Sequence, residues 1–352
     1  MQWTPTFMRA LAITSIGRTA FQSVEPPRPR PDEVLLKVGV VGLCGSDLNT
    51  FRGANPLANL PRVPGHEIGG TILQAGEDVP TETSMVGRRA VVIPYTACGR
   101  CSACRQSRTN ACKHNQTLGV QRDGGMATQI AVPHTHLILN DKLPMRDLAL
   151  VEPLSVGFHA VRRGAVCEGD TVVVLGAGMI GVGAILGAIA AGARVIAVEI
   201  SDSKRETLSS MGADAVINPV REDLSARIEE LTNGHGADVV IEAVGLPETF
   251  RSAIDLACFA GRVVYVGYAK TEVSYNTALF NLKELDILGS RNANRVDFEA
   301  VIEFLEKSPD MSRQLVSKVF LWSEADQAFG HWEANRHDTF KILVDMQGAE
   351  NE

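Results

Sequence analysis

The sequence predicts an α/β protein of two domains, and three observations lead to this prediction. The chain has 352 residues, more than a single hydrophobic core usually organises. Residues 170–288 alternate between short apolar runs and helix-forming runs, which is typical of a doubly wound parallel sheet. Residues 1–156 instead carry short strand-like runs between glycine and proline turns. We therefore expect a parallel-sheet domain over 157–289 and a β-rich domain built from 1–156 and 290–352.

The composition excludes several classes of function. Hydrophobic residues make up 45% of the chain and charged residues 21%, as in a globular enzyme. The net charge of −7 and the lack of a basic run argue against a nucleic acid or a membrane surface as partner. The first residues lack the charged and apolar regions of a signal peptide. We expect a cytoplasmic protein that acts on a small molecule.

One apolar segment, residues 172–193, carries no charge and is long enough to cross a bilayer. It begins with β-branched residues, continues with glycines and ends in alanines. A strand, a glycine turn and a helix, each shorter than a membrane span, explain this change in composition. We therefore predict no membrane-spanning segment.

The elements of the parallel-sheet domain follow in chain order. Apolar and β-branched runs predict strands over 170–175, 194–198, 215–217, 237–243, 262–266 and 285–288. Helix-forming runs predict helices over 182–191, 224–232 and 248–258. Right-handed crossovers would join these strands into one sheet. Cys167 and Cys258 have no metal-binding neighbours in sequence and are predicted to be buried packing residues.

A glycine motif, G-x-G-x-x-G, follows the first of these strands and opens the first of these helices. In this context the motif indicates a Rossmann dinucleotide-binding domain, because glycines let the backbone approach a pyrophosphate at the helix N-terminus. The second strand ends at an acidic residue, where a carboxylate binds the ribose hydroxyls. The predicted cofactor-binding residues are Gly176, Gly178, Met179, Ile180, Gly181 and Glu199.

The acidic residue also bears on the choice of cofactor. A 2′-phosphate beside Glu199 would be repelled by the carboxylate, so NAD is favoured over NADP. Lys204 and Arg205 leave NADP open, because either side chain could bind that phosphate. Lys204 therefore joins the predicted cofactor-binding residues.

Four cysteines lie close together, with the spacing C-x2-C-x2-C-x7-C. They are Cys98, Cys101, Cys104 and Cys112. Disulfides are rare in the cytoplasm, and a ferredoxin-type cluster would have a shorter last spacing and a proline where Lys113 stands. Tetrahedral Zn²⁺ suits four thiolates in one loop, and four thiolates leave no open position. We predict a structural zinc site in a lobe over about 94–116.

A second set of metal-binding residue types lies in three separate motifs, VGLCGSDLNTFRG at 41–53, PRVPGHEIGG at 61–70 and VEPLSVGFHA at 151–160. These motifs contain the donors that an open catalytic zinc uses, a cysteine, a histidine and carboxylates. Each residue alone is more typical of a packing or surface position. The four candidates are Cys44, His66, Glu67 and Glu152.

Taken in order, C-G-S-D, G-H-E, the four-cysteine lobe, E-P-L and the glycine motif resemble the zinc-dependent medium-chain dehydrogenases. The resemblance runs from about Met8 to the end of the chain, and the polyol and sugar-acid branch is the nearest match. It implies a GroES-like β-rich catalytic domain beside the Rossmann domain, with the active site between them. It also implies NAD, one structural and one catalytic Zn²⁺, and assembly into a homodimer or homotetramer.

The resemblance also implies roles for the second set of residues. Cys44 and His66 would bind the catalytic Zn²⁺, and a bound cation stabilises an alkoxide. Glu67 and Glu152 are alternatives, since either could be the third protein ligand while the other holds the zinc-bound water. Ser46 would take the proton of the substrate hydroxyl.

The proton relay beyond Ser46 stays open. Many relatives carry a histidine three residues after this serine, and that histidine passes the proton outward. This chain has Asn49 there, which cannot titrate. The cofactor ribose or water would have to continue the relay.

The substrate is indicated by two further stretches, 51–56 and 289–294, which look most like those of L-gulonate and L-galactonate 5-dehydrogenases. Arg291, with Asn292 beside it, or Arg52 would bind a substrate carboxylate, because a guanidinium matches that geometry. The alternatives are neutral polyols or polyol phosphates of the sorbitol and galactitol type, and L-threonine. A non-enzymatic relative is a further alternative, but it would be expected to lack Cys44, His66 or Ser46.

Overall fold

The computed structural model describes residues 7–80 and 85–349. The chain forms two compact units, Met1–Glu152 with Leu305–Glu352, and Pro153–Phe304. Residues 290–304, which we expected in the β-rich domain, belong to the unit that holds the parallel sheet. Phe304 makes an edge-to-face contact with Phe158 in that unit, with ring centroids 5.8 Å apart, and such contacts attach residues 290–304 to it.

The first unit begins with seven strands. They are β1 Met8–Ser15, β2 Arg18–Val24, β3 Glu33–Leu43, β4 Glu67–Ala75, β5 Arg89–Val92, β6 Gln129–Pro133 and β7 Leu137–Leu139. Three α-helices accompany them, α1 Gly45–Phe51, α2 Ser102–Arg105 and α3 Met145–Arg163, of which α3 continues into the second unit. Short 3₁₀ turns occupy Thr109–Ala111 and His134–His136.

The second unit alternates strands and helices. Its strands are β8 Thr171–Leu175, β9 Arg194–Val198, β10 Ala215–Ile217, β11 Ala237–Glu242, β12 Ala257–Tyr265 and β13 Asp286–Gly289. Its helices are α4 Met179–Ala190, α5 Arg205–Ser210, α6 Leu224–Leu231, α7 Pro247–Leu256, α8 Ala278–Leu282 and α9 Arg295–Lys307, and a 3₁₀ turn occupies Asp202–Lys204.

The chain then returns to the first unit and adds two strands to it. The elements are α10 Met311–Leu315, β14 Val316–Leu321, a 3₁₀ helix Trp322–Gln327, α11 Ala328–Asn335 and β15 Lys341–Asp345. A seven-stranded sheet results, with the order β14-β15-β3-β4-β5-β7 and with β6 paired to β3. The antiparallel pairs dominate, and only β14 and β15 run parallel.

The register of this sheet brings distant residues to one edge. Strand β3 pairs with β4 so that Gly42 opposes Glu67, and with β15 so that Leu43 opposes Ile342. The end of β3, the start of β4 and the start of β15 therefore lie side by side. Residues that follow β3, precede β4 or begin β15 share this edge.

The sheet of the second unit has the strand order β10-β9-β8-β11-β12-β13, and all its pairs are parallel. This is the predicted doubly wound arrangement, with buried Val172, Val173 and Val174 in the first strand. The order reverses between β8 and β11, and ligands of such sheets bind beyond the carboxyl ends of the strands at this point.

Several predicted details differ. The helix expected to reach 258 ends at Leu256, because Ala257 already pairs with Ala237 of β11. Cys167 is exposed and Cys258 is half-buried, although we predicted both to be buried. Cys167 lies in the turn before β8, where its backbone N–H donates to Asp170.

The described part of the chain contains no helix that could span a membrane. Among residues 7–80 and 85–349, no helix combines the length and the apolar character needed to cross a bilayer. The apolar stretch at 172–193 folds as β8, a glycine turn and α4.

Candidate metal centres and cofactor site

The first candidate centre lies at the shared edge of β3, β4 and β15. Cys44 follows β3 directly and precedes α1, while His66 directly precedes β4 and Glu67 begins it. Antiparallel pairing of β3 with β4 brings the two motifs together. One ligand atom from each of Cys44, His66 and Glu67 lies within 4.8 Å of the other two.

Asp47 connects the two ligand-bearing segments. One carboxylate oxygen accepts the backbone N–H of Cys44 at 2.9 Å, and the other accepts that of Gly65 at 3.3 Å. The side chain of Asp47 is fully buried and lies 3.8 Å from the Nδ1 atom of His66. Asp47 thus fixes the residues on either side of the candidate metal position.

His66 is buried among acidic groups. Burial by itself lowers the pKa of His66, but the charges of Asp47 and Cys44 and a hydrogen bond with Cys44 outweigh it, and the pKa stands well above its ordinary value. Nδ1 of His66 has no hydrogen-bond partner among the described residues. A buried imidazole in an anionic environment suits a divalent cation, so these residues fit the catalytic zinc that the motifs imply.

Glu67 is held by a lysine from the far end of the chain. Nζ of Lys341 lies 2.6 Å from both carboxylate oxygens of Glu67 and 2.9 Å from the carbonyl oxygen of Leu43. Both side chains are almost completely buried, with 2% and 0% of their side-chain surfaces exposed.

Glu152 lies in α3, in the same unit as Cys44, His66 and Glu67. The ligand atoms that lie within 4.8 Å of one another are those of Cys44, His66 and Glu67, and Glu152 is not among them. Tyr95 donates its hydroxyl hydrogen to Glu152, and both residues are buried. Burial, helped by repulsion from Glu67 and opposed by His66, raises the pKa of Glu152 to about 7. Burial raises the pKa of Tyr95 well above its ordinary value, and the negative charge of Glu152 adds to this effect.

Ser46 and Asn49 lie in α1, beside the candidate ligand Cys44, and both are half-buried. The carbonyl oxygen of Ser46 accepts the hydroxyl of Thr50 at 2.9 Å and the amide of Asn55 at 3.4 Å. These bonds fix the first turn of α1, and so the backbone from which the Ser46 hydroxyl extends.

The second candidate centre is the four-cysteine lobe. The four sulfur atoms of Cys98, Cys101, Cys104 and Cys112 lie within 4.8 Å of one another, and all four cysteines are free. Sγ of Cys101 is 3.5 Å from Sγ of Cys104 and 3.9 Å from Sγ of Cys112. Tetrahedral zinc with bonds of about 2.3 Å separates its sulfur ligands by roughly 3.8 Å, so this arrangement fits a closed zinc site.

Backbone N–H groups in the lobe favour thiolates. Hydrogen bonds from the N–H groups of Cys104 and Lys113 lower the pKa of Cys101 to about 6. The N–H groups of Cys98 and His114 each donate to Sγ of Cys112 at 3.3 Å. Burial, followed by its contact with Cys101, raises the pKa of Cys104 to about 11 in the absence of a cation. A bound cation would deprotonate such a thiol.

The cofactor motif forms the turn between β8 and α4. Gly176 has φ of +90°, which a residue with a side chain adopts at a penalty. A Cβ on Gly181 would overlap the carbonyl oxygen of Gly176, whereas a Cβ on Gly178 would meet nothing within 4 Å. Met179 and Ile180 form the first turn of α4. The turn is therefore closely packed at Gly181 and leaves open space beside Gly178. A pyrophosphate requires such space near the N-terminus of the helix.

Glu199 and Lys204 follow β9. The carboxylate of Glu199 accepts the N–H of Ala177 and the N–H of Ser201, each at 2.9 Å. Lys204 ends the 3₁₀ turn and is 6% exposed. Arg205, the second candidate for a 2′-phosphate, starts α5 and is exposed.

The candidate substrate residues lie in separate units. Nε of Arg52 is 2.6 Å from a carboxylate oxygen of Glu333 in α11, so this guanidinium already has an anionic partner. Arg291 and Asn292 lie between β13 and α9, both are half-buried, and Asn292 has φ of +50°.

Comparison with known proteins now identifies the class. Residues 30–142 match the alcohol dehydrogenase GroES-like domain, and residues 180–307 match the zinc-binding dehydrogenase domain. The chain belongs to the zinc-binding alcohol dehydrogenase family, in the branch that contains polyol and sugar-acid dehydrogenases. It is an oxidoreductase of CH–OH donors, and the predicted family and fold class are confirmed.

Particular relatives are similar over almost their whole length. The L-galactonate-5-dehydrogenase of Escherichia coli K12 is 37% identical over 96% of this chain and 98% of its own. The sorbitol dehydrogenase of Halalkalibacterium halodurans is 34% identical over 92% and 95%.

Two solved structures carry a cofactor. An alcohol dehydrogenase (rspB) from E. coli CFT073 complexed with NADH has a TM-score of 0.90 at 29% identity, covering 97% of this chain and 100% of that chain. A protein described as a zinc-binding dehydrogenase from Sinorhizobium meliloti 1021, bound to NADP, has a TM-score of 0.85 at 29% identity, with the same coverage.

Three residues that contact the candidate ligands of the first centre were not predicted from the sequence. They are Asp47, Tyr95 and Lys341, and none of them is a predicted metal ligand. Asp47 stands inside the C-G-S-D motif, so its position three residues after Cys44 was a usable signal. Tyr95 and Lys341 lie far in sequence from the groups that they contact, and no local pattern indicates them.

Proposed function

We propose that this chain is a zinc-dependent, NAD-linked dehydrogenase that oxidises a secondary alcohol of a sugar acid, of the L-gulonate or L-galactonate type, to the ketone. The observation that carries the proposal is the convergence of Cys44, His66 and Glu67 at one edge of the first unit. Cysteine, histidine and carboxylate are the donors of an open catalytic zinc.

The chain's own residues divide the chemistry between them. Cys44 and His66 would hold the zinc, which when bound lowers the pKa of a substrate hydroxyl. Ser46 accepts the hydroxyl proton, and its backbone is fixed by the first turn of α1. Asp47 keeps Cys44 and the segment before His66 in place. Glu67 or Glu152 completes the site as third ligand, and the other holds water.

The hydride acceptor is proposed to be NAD. The open position outside Gly178 would take the pyrophosphate, and Glu199 would accept hydrogen bonds from the ribose hydroxyls. Exposed apolar side chains follow β9, β11 and β12 at the carboxyl edge of the sheet, Ile200, Val244 and Tyr268. Such exposed apolar groups suit the faces of cofactor rings. The NADP-bound relative keeps NADP as the alternative.

The sugar-acid substrate is supported by the relative named for L-galactonate, at 37% identity. Arg291 is the proposed carboxylate partner, because it lies in the stretch 289–294 that looks like that of L-gulonate and L-galactonate 5-dehydrogenases and a guanidinium matches a carboxylate, and Arg52 is the alternative. A neutral polyol is the second candidate, supported by the relative named sorbitol dehydrogenase at 34% identity. We also propose that the protein is cytoplasmic and forms a homodimer or a homotetramer. Light scattering of the purified protein would test the oligomeric state.

A spectrophotometric screen for NADH formation tests the substrate proposal. The panel contains aldonates, neutral polyols, sugar phosphates and L-threonine, each with wild type, Arg291→Ala and Arg251→Ala. Arg251 is an exposed arginine of the same unit and serves as the matched control. We expect turnover of an aldonate, and Arg291→Ala should raise its KM by roughly 10- to 100-fold, because a charged hydrogen bond is lost. Turnover of polyols with none of any aldonate would contradict the sugar-acid proposal.

A further inference from the structure

Lys341 is a buried cation directed at a candidate metal ligand. All three hydrogens of its ammonium group have acceptors, the two carboxylate oxygens of Glu67 at 2.6 Å and the carbonyl oxygen of Leu43 at 2.9 Å. The two side chains are 2% and 0% exposed, so water does not screen the pair. Lysine is almost never fully buried without a specific partner.

The position of Glu67 is fixed from two sides. Gly42 opposes Glu67 across β3 and β4, and a Cβ on Gly42 would overlap an oxygen of the Glu67 carboxylate. On the other side, β15 pairs with β3 so that Ile342 opposes Leu43, which places Lys341 next to the end of β3. The carboxylate therefore lies between the backbone of β3 and the ammonium group, and it has little freedom to turn elsewhere.

If Glu67 binds a metal ion held by Cys44 and His66, it must do so through an oxygen that Lys341 already binds. Two cations then share one carboxylate, and each cation weakens the bond between the carboxylate and the other cation. A buried ion pair whose hydrogen bonds are all satisfied is not easily broken, because an isolated buried charge is unfavourable. The ammonium group therefore competes with the metal for Glu67.

We propose that Lys341 is a positioning residue that weakens the bond between Glu67 and the catalytic metal and so leaves one position on the metal exchangeable. The inference rests on the proposed function in one respect, that a metal binds at Cys44 and His66. It does not depend on the substrate or on the cofactor. A site of this kind keeps its carboxylate close for charge balance without committing it as a permanent ligand.

The test measures zinc release from the purified holoenzyme to a chromophoric chelator, with no substrate present. Cys44→Ser identifies the release phase that belongs to the catalytic site, because the four-cysteine lobe is unchanged in that variant. If no phase disappears in Cys44→Ser, no metal binds at Cys44, and both the proposed function and the role of Lys341 are overturned. Near-ultraviolet circular dichroism checks that each variant is folded.

The decisive variant is Lys341→Met, which keeps the length of the side chain and removes its charge. We expect the catalytic zinc to be bound about 10-fold more tightly, since a competing cation is removed and Glu67 is released to the metal. Lys341→Arg keeps the charge and should stay close to wild type. The gain should vanish in the double variant Lys341→Met/Glu67→Gln. Affinity that is unchanged or lower in Lys341→Met, or a gain that survives in the double variant, would overturn the proposal.

A second variant covers the case in which Lys341→Met does not fold. Glu67→Gln keeps an acceptor for the ammonium group and removes the charge that a metal would bind. If Lys341 already weakens the Glu67 bond, the catalytic zinc should lose less than about 3-fold in affinity, below the usual effect of removing a ligand's supporting partner. A loss of 10-fold or more would show that Glu67 is a full ligand and would overturn the proposal.

Discussion

The carboxylate of Glu199 accepts the backbone N–H of Ala177 at 2.9 Å, so the residue proposed to bind ribose also fastens the glycine turn. The other oxygen accepts the N–H of Ser201 at 2.9 Å. Two functions, cofactor recognition and shaping of the turn, therefore depend on one side chain. Removing it should disturb more than the ribose contact.

The first prediction follows from this relationship. Glu199→Ala should weaken NAD binding by roughly 10- to 100-fold, the loss of a charge-assisted hydrogen bond of about 1.5–3 kcal/mol, and should improve the tolerance of NADP. Isothermal titration calorimetry with both cofactors measures this, with the exposed Glu206→Ala of α5 as control. A wild-type preference for NADP would mean that Lys204 or Arg205 outweighs the carboxylate.

The second prediction concerns the four-cysteine lobe. Cys101→Ser should lose roughly one zinc ion per chain and lower the unfolding temperature together, because a closed zinc site contributes folding free energy. Metal analysis and calorimetry measure the two effects, and Cys167→Ser, at an exposed cysteine, is the matched control. Wild-type protein with a disulfide in the lobe and no metal above background would refute the zinc assignment.

The third prediction separates catalysis from cofactor binding. Cys44→Ser or His66→Ala should abolish turnover but leave NAD affinity nearly unchanged, since the candidate ligands and the glycine turn belong to different compact units. Steady-state kinetics and cofactor titration on the same samples provide the measurement. Retention of more than about a few per cent of activity in either variant would count against the catalytic metal site.

The fourth prediction concerns acid stability of the second unit. Nδ1 of His159 lies 2.9 Å from Asp297, and Nε of Arg162 donates to Asp297 at 2.7 Å. Burial alone would raise the pKa of Asp297, but these bonds and the N–H of Asn294 hold it below its ordinary value. A depressed folded pKa stabilises the protein above the unfolded value of about 3.9 and loses this effect as the pH falls through the folded pKa.

Asp297→Asn should therefore destabilise the protein by about 3 kcal/mol at neutral pH, as expected when a buried ion pair is broken. The difference from wild type should shrink as the pH falls below about 3.9. Urea unfolding at a series of pH values measures it, and the exposed Asp310→Asn is the control. A difference that is independent of pH would show that the carboxylate charge is not what matters.

Local patterns predicted the second unit closely. Strands β9 and β10 have the predicted bounds, because consecutive β-branched and apolar residues between turns leave little choice of structure. The helix expected to end at 258 was less well predicted, since Ala257 pairs with Ala237, a residue of a strand some 20 residues earlier. Local propensity does not contain that pairing.

The candidate centre was predicted only in part for a similar reason. Cysteine, histidine and carboxylates in family motifs pointed to Cys44, His66, Glu67 and Glu152. Asp47 lies near Cys44 inside one of these motifs, but Tyr95 and Lys341 are not typical metal ligands and lie far away in the chain from the carboxylates that they contact. The pairing of Arg52 with Glu333 was likewise invisible in the sequence, since the two are 281 residues apart.

The separation of Glu67 from Lys341, 274 residues, has a consequence for biosynthesis. While the ribosome makes the first unit, β3 and β4 can pair, but the strand that brings the buried ammonium does not yet exist. The nascent chain must keep the Glu67 carboxylate in water until the segment that begins at Lys341 emerges and joins β3. Closure of this sheet thus waits for the completed second unit, and truncated chains should expose an open sheet edge to chaperones and proteases.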